Sequence, residues 1–139
     1  MRSQLSRANA HWLRGRLLLA RAEAGVDRRR AVKEARTLAR RLEREGVGYA
    51  AAWGRLLQAG VAFQSGDGAG ATAGLGQAER LCEEHDLRLA AAAARRRRGE
   101  LLREPALVAS ADEWMRGEEI RAPGRLTEVL VPGFPAAPG

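Results

Sequence analysis

Ala39-Arg40-Arg41-Leu42-Glu43-Arg44-Glu45 returns 39 positions later as Ala78-Glu79-Arg80-Leu81-Cys82-Glu83-Glu84. Trp12-Leu13-Arg14 returns 41 positions later as Trp53-Gly54-Arg55. In each copy a tryptophan-bearing segment comes first and a Leu/Glu/Arg segment follows. A turn separates them, Gly25-Val26-Asp27 in the first copy and Ser65-Gly66-Asp67-Gly68 in the second. Self-similarity at this period marks a solenoid, in which each unit buries its apolar face only by stacking on the next. The reading predicts an all-α chain of antiparallel helix pairs, with about six to seven helices, and favours a binding scaffold over an enzyme.

Composition agrees with helix. Alanine, leucine, arginine and glutamate dominate, isoleucine occurs once (Ile120), and aromatic residues make up 4% of the chain, too few for a β-sandwich core. The 139 residues suit one domain with a modest core. Cys82 is the single cysteine, so no intramolecular disulfide forms, which fits a reducing cytoplasm. No apolar run approaches the roughly 20 residues that span a bilayer. Leu17-Leu18-Leu19-Ala20 is short and hemmed in by arginines, unlike a signal peptide.

The formal charge is +7, and of the 24 basic residues only Lys33 is lysine. That ratio is what a GC-rich genome produces, since arginine codons are GC-rich. The charge is uneven: residues 1–46 carry net +8, residues 47–86 net −3 and residues 87–139 net +2. A basic end beside an acidic middle steers an anionic partner or helps successive units stack.

Along the chain, Leu5, Ala8, Trp12, Leu13, Leu17, Ala20 and Ala24 form a broad apolar stripe and predict a helix over 4–24. Gly25 suits its C′ position and Asp27 the N-cap of a helix over 28–45, with Ala31, Ala35, Leu38 and Leu42 inward. A third helix spans about 49–64, with Tyr49, Trp53, Leu57, Gly60, Val61 and Phe63 or Gln64 on its buried side. Gly54 and Gly60 are tolerable there if a neighbour packs closely. Gly70, Gly74 and Gly76 oppose a fourth helix over about 69–85, but Ala71, Leu75, Ala78, Leu81 and Cys82 keep helical spacing. Further helices are expected over 87–103, from Pro105 to about 119, and from Pro123 to about 130. The repeat units are then about 4–46, 47–86 and 87–131, the last including a cap. Residues 132–139 form a flexible Pro/Gly tail.

With Trp12-Leu13-Arg14-Gly15, Trp53-Gly54 and the small residues Ala31, Ala35, Ala39 and Ala78, the chain resembles a tetratricopeptide-type repeat. The resemblance implies a short right-handed α-solenoid. The period is longer than the family's 34 residues, and the proline expected at the repeat end is absent after both copies, which points to a divergent branch. The stretch Ala111-Asp112-Glu113-Trp114-Met115-Arg116-Gly117-Glu118-Glu119-Ile120-Arg121-Ala122-Pro123-Gly124-Arg125-Leu126, followed by Val131-Pro132-Gly133-Phe134, resembles the ending of myxobacterial-type serine/threonine protein kinases or related ATPase regulators. Those proteins carry a long helical-repeat tail. The resemblance implies the C-terminal part of a bacterial signalling protein, acting as a cytoplasmic, non-catalytic protein-interaction scaffold. Any kinase or ATPase activity belongs to an upstream domain, because no Gly-rich loop on a strand, His-Arg-Asp loop or Asp-Phe-Gly is present in this chain.

Residue-level chemistry is sparse, and no catalytic, cofactor-binding or metal residue is assigned. Gly66-Asp67-Gly68-Ala69-Gly70-Ala71-Thr72-Ala73-Gly74 lacks the Gly-Lys-Ser/Thr ending of a phosphate loop, and Asp67 lacks the companions of a calcium loop. Cys82 and His85 share a helix face with Glu79, three ligands at most where structural zinc takes four. The arginines hold the interest. Arg95-Arg96-Arg97-Arg98 covers a full helical turn, so at least one faces a neighbouring helix or a partner. Ligands of this repeat class lie along the face lined by the first helix of each pair. Arg7, Arg14, Arg21, Arg55, Arg95 and Arg98 fall on such helices and are the expected partner-binding residues, for a protein or acidic peptide. The alternative is a basic helical domain that binds nucleic acid, but its aromatics look buried rather than interleaved with the arginines.

Overall fold

The computed structural model describes residues 4–136, and they are all-helical with no strand. Seven helices follow one another: α1 (Gln4–Glu23), α2 (Arg28–Glu43), α3 (Gly48–Gln64), α4 (Gly68–Glu84), α5 (Arg88–Leu102), α6 (Pro105–Gly117) and α7 (Pro123–Leu130). The weakest prediction, α4, forms because Asp67 caps it: the carboxylate accepts the Gly70 N–H at 2.8 Å. Ala71, Leu75, Ala78 and Cys82 then bury one continuous face.

Each helix packs on the next from α1 through α6, and α1 also meets α3 while α5 meets α7. This is the consecutive pairing of a solenoid-like repeat. Besides the packing of α2 on α3, the repeated tryptophans link the first two units through α1 and α3. Trp12 and Trp53 stack with ring centroids 5.7 Å apart and planes 5° apart, and Tyr49 meets Trp53 edge-on at 5.2 Å. Much of the core is alanine, with Ala35, Ala39, Ala50, Ala71 and Ala78 fully buried. Small side chains let helix backbones approach closely. At Gly54 the approach reaches its limit, since a Cβ there would lie 2.9 Å from the Ala39 carbonyl oxygen of α2.

Three expectations need correction. The apolar stripe of α1 is narrower than predicted: Ala8, Trp12, Gly15, Leu19 and Ala22 are buried, while Leu5, Leu13, Leu17, Ala20 and Ala24 are exposed. The helix has two apolar faces, and only one of them meets α2 and α3. Asp27 does not cap α2 with its side chain. It takes a left-handed conformation (φ 46°) and its carboxylate faces Arg21 at 3.4 Å. Finally, residues 132–134 of the expected flexible tail are buried, with Phe134 3% exposed. Residues 137–139 of that tail lie outside the described residues.

Candidate protein-docking surfaces

The six expected partner-binding arginines each sit on the first helix of a pair, but they do not converge on one groove. Arg7 donates to Glu45 at 3.0 Å, and Arg14 reaches Glu34 of α2 at 3.5 Å. Arg21 pairs with Asp27. Arg55 donates to Gln77 of α4 at 2.6 Å and lies 3.8 Å from Glu43 of α2. Arg95 meets Glu79 at 2.9 Å and Glu83 at 3.3 Å on α4, and Ser110 on α6 at 3.2 Å. Arg98 meets Glu79 at 2.7 Å. A rule emerges. Arg14, Arg55 and Arg95 reach forward to the second helix of their own pair, while Arg55, Arg95 and Arg98 also reach back to the second helix of the preceding pair. The arginines therefore staple neighbouring helices. The exposed pairs among them each contribute about 0–1 kcal/mol and set register more than stability, while Arg95 and Arg98 meet Glu79 in a partly buried position. The hydrogen bond from Arg7 holds the Glu45 carboxyl below the usual carboxylate range, and the bond from Arg30, helped by Arg14, does the same for Glu34.

The inward-turning members of the Arg95–Arg98 run are Arg96 and Arg97. Arg96 is 3% exposed and donates to Asp112 at 2.7 Å, with Glu100 as a second partner. Burial pulls its guanidinium pKa down, but the hydrogen bond and charge of Asp112 and the charge of Glu100 outweigh that and raise it. Arg97 is 1% exposed and meets Glu100 at 3.0 Å. Its Nε donates to Val131 O at 2.9 Å and its Nη1 also to Pro135 O at 2.8 Å.

Those acceptors belong to the C-terminal segment, which lies across α1, α3 and α5. Gln64 donates to Gly133 O at 2.8 Å, and Phe134 packs on Phe63 at 5.1 Å and beneath the Arg97 guanidinium at 5.4 Å. Gly60 makes room, since a Cβ there would lie 3.1 Å from Pro132 O. Arg16 of α1 covers the Trp12 ring at 4.7 Å and donates to Val129 O at 3.2 Å. Burial lowers the Arg16 pKa. Beside the segment an open cleft of about 630 Å³ is lined by Trp12, Trp53, Leu89, Trp114 and Leu130 among others.

The opposite side of α1 is apolar and bare. Leu5, Leu13 and Leu17 are 52, 52 and 58% exposed, and Val26 in the following turn is 46% exposed. The sequence signal for this face was in hand, in the unusual breadth of the α1 stripe, but sequence alone does not say which half finds a neighbour.

Groups able to do covalent chemistry are scattered. Cys82 is fully buried and free, and burial, with Glu83 and Glu79 adding to it, pushes its thiol up to about 12. His85 lies against Gly48 at the start of α3. No group of three or more His, Cys, Asp or Glu able to hold a metal ion occurs among the described residues. No helix among them is long and apolar enough to cross a membrane. Comparisons with protein-family models, curated proteins and solved structures find no match for the chain.

Proposed function

We propose that this chain is a non-catalytic helical scaffold that docks another protein, serving as the C-terminal helical-repeat part of a bacterial kinase-type signalling protein. The observation that carries the docking reading is the exposed leucine face of α1. Large apolar side chains gathered on one exposed helix face mark protein contact, because water is their poorest neighbour. The kinase association rests on the resemblance of the stretch from Ala111 to Phe134.

A nucleic-acid reading draws on the net charge of +7. Against it, all four arginines of the densest basic run, Arg95, Arg96, Arg97 and Arg98, have carboxylate partners within the chain. A phosphate backbone would have to compete for them.

Capture from a GC-rich bacterial lysate tests the two readings. The expected result is a discrete protein that survives nuclease and is lost when the bait carries Leu13→Asp and Leu17→Asp. Captured material that disappears with nuclease, with the leucine variant indifferent, overturns the proposal in favour of nucleic acid.

A further inference from the structure

The repeat register states what the bare face of α1 corresponds to elsewhere. Trp12 and Arg14 correspond to Trp53 and Arg55, so Asn9, Leu13 and Ala20 correspond to Ala50, Gly54 and Val61. All three residues of α3 are buried, and Gly54 lies against Ala39 and Glu43 of α2. All three residues of α1 are exposed. The face that α3 closes with the second helix of the preceding unit is therefore open on α1, and the open face continues an interface the chain already builds twice, α2 on α3 and α4 on α5.

The charges say what kind of helix fits. At both internal junctions the arriving helix brings carboxylates to arginines of the receiving one: Glu43 to Arg55, and Glu79 and Glu83 to Arg95, with Glu79 also serving Arg98. On α1 the matching arginine is Arg14. It reaches forward to Glu34, yet its side chain remains 68% exposed. Arg7 and Arg21 flank it at 50 and 55% exposure, in a region of net +8. A second copy laid α1 against α1 would set these arginines against themselves. Shape adds a condition: Leu13 stands where α3 has Gly54, which already lies against the backbone of α2 at Ala39, so the incoming helix must sit farther out and keep small residues opposite Leu13.

We infer that the outward face of α1 is a docking site for an acidic amphipathic helix with an alanine-rich apolar face, on the side that corresponds to the α2-facing side of α3 but at a wider helix spacing. The inference rests on the docking reading above and specifies the chemistry of the partner.

The test is a titration of the full isotope-labelled chain with a synthetic alanine/leucine helix, long enough to match α1 and flanked by glutamates. A version with lysine in place of glutamate is the control. Expected are NMR shift changes centred on Leu5, Leu13, Arg14 and Leu17, with affinity falling about 10-fold or more in Leu13→Asp/Leu17→Asp. Arg14→Glu should weaken the acidic peptide and admit the lysine peptide, a reversal that simple unfolding does not produce. Equal binding of both peptides, or shifts elsewhere, overturns the inference. So does self-association in sedimentation that the leucine variant abolishes, which would place a second copy on the face. If the peptides fail while lysate capture still depends on Leu13 and Leu17, the partner's chemistry is wrong and the docking reading stands.

Discussion

At the C-terminal end of the stack, α6, α7 and residues 131–136 gather against α5, and Arg97 falls to 1% exposure. At the N-terminal end no described element lies over the outward face of α1, and Leu17 stays 58% exposed. The sequence is rich in arginine at both ends, so composition does not separate them. The separation comes from cover. Given acceptors and a packed aromatic ring, an arginine run becomes interior structure. Without cover, even leucine remains surface. A helix face in such a stack is therefore defined by what lies over it, and its own residue types are a poor guide.

The comparison breaks first at Arg97. Arg97→Ala leaves the buried Val131 carbonyl without its donor and Glu100 without one of its cations, and should cost about 3–5 kcal/mol, the loss expected when one partner of a buried charged network is removed. Denaturant unfolding measures it; a loss as small as that of a surface change would mean the C-terminal segment is not structural cover.

Two leucines of one helix sharpen the point. Leu19→Ala, at a site with no exposure, should cost about 2–5 kcal/mol, whereas Leu13→Ala should fall within about 0.5 kcal/mol. Equal losses in thermal melts would show that α1 is covered on both sides in solution. Next in size is Gly60→Ala. The new methyl would crowd Leu19 Cδ1 at 2.7 Å and Pro132 O at 3.1 Å, and overpacking of this kind costs about 1–3 kcal/mol. Made in a Leu19→Ala background, Gly60→Ala should add no further loss only so far as Leu19, rather than the C-terminal segment, is the obstacle.

The smallest effects are chemical. The Cys82 thiol, held near 12, should resist a thiol reagent at neutral pH until the chain unfolds, so its labelling rate should follow the unfolding rate. Glu45 has its folded pKa below its ordinary 4.5 because Arg7 donates to it. Its contribution is present above pH 4.5 and is lost as pH falls through the lower folded value. Glu45→Gln should therefore lower stability near neutrality and flatten the acid limb, as denaturation midpoints across that range will report.

The fold was legible because it is written in spacing. The Trp12/Trp53 offset gave the repeat, and Ala71, Leu75, Ala78 and Cys82 gave α4 in spite of its glycines. The packing of α1 was less legible, since Leu5, Leu13 and Leu17 satisfy helical periodicity as well as Ala8, Trp12 and Leu19 do. The C-terminal segment escaped for a different reason. Val131-Pro132-Gly133-Phe134 has no period, and its cover depends on hydrogen bonds to its carbonyls from Arg97 and Gln64. Those donors lie 34 and 69 positions away from their acceptors, a distance at which no local pattern operates. Arginines were correctly placed on first helices, but sequence could not show that carboxylates on α2 and α4 would claim them.

Arg97 also puts the chain under a time constraint. A ribosome delivers α5 well before the residues that carry its acceptors, which follow 34 and 38 positions later. Until they emerge, the Arg97 guanidinium keeps its water even where α5 already packs on α4. A product cut short before residue 131 would leave that cation without the carbonyls that satisfy it, beside Phe63 and Gly60 laid bare. Closure of that side of α5 is thus coupled to chain made 34 and 38 positions later than the arginine it serves.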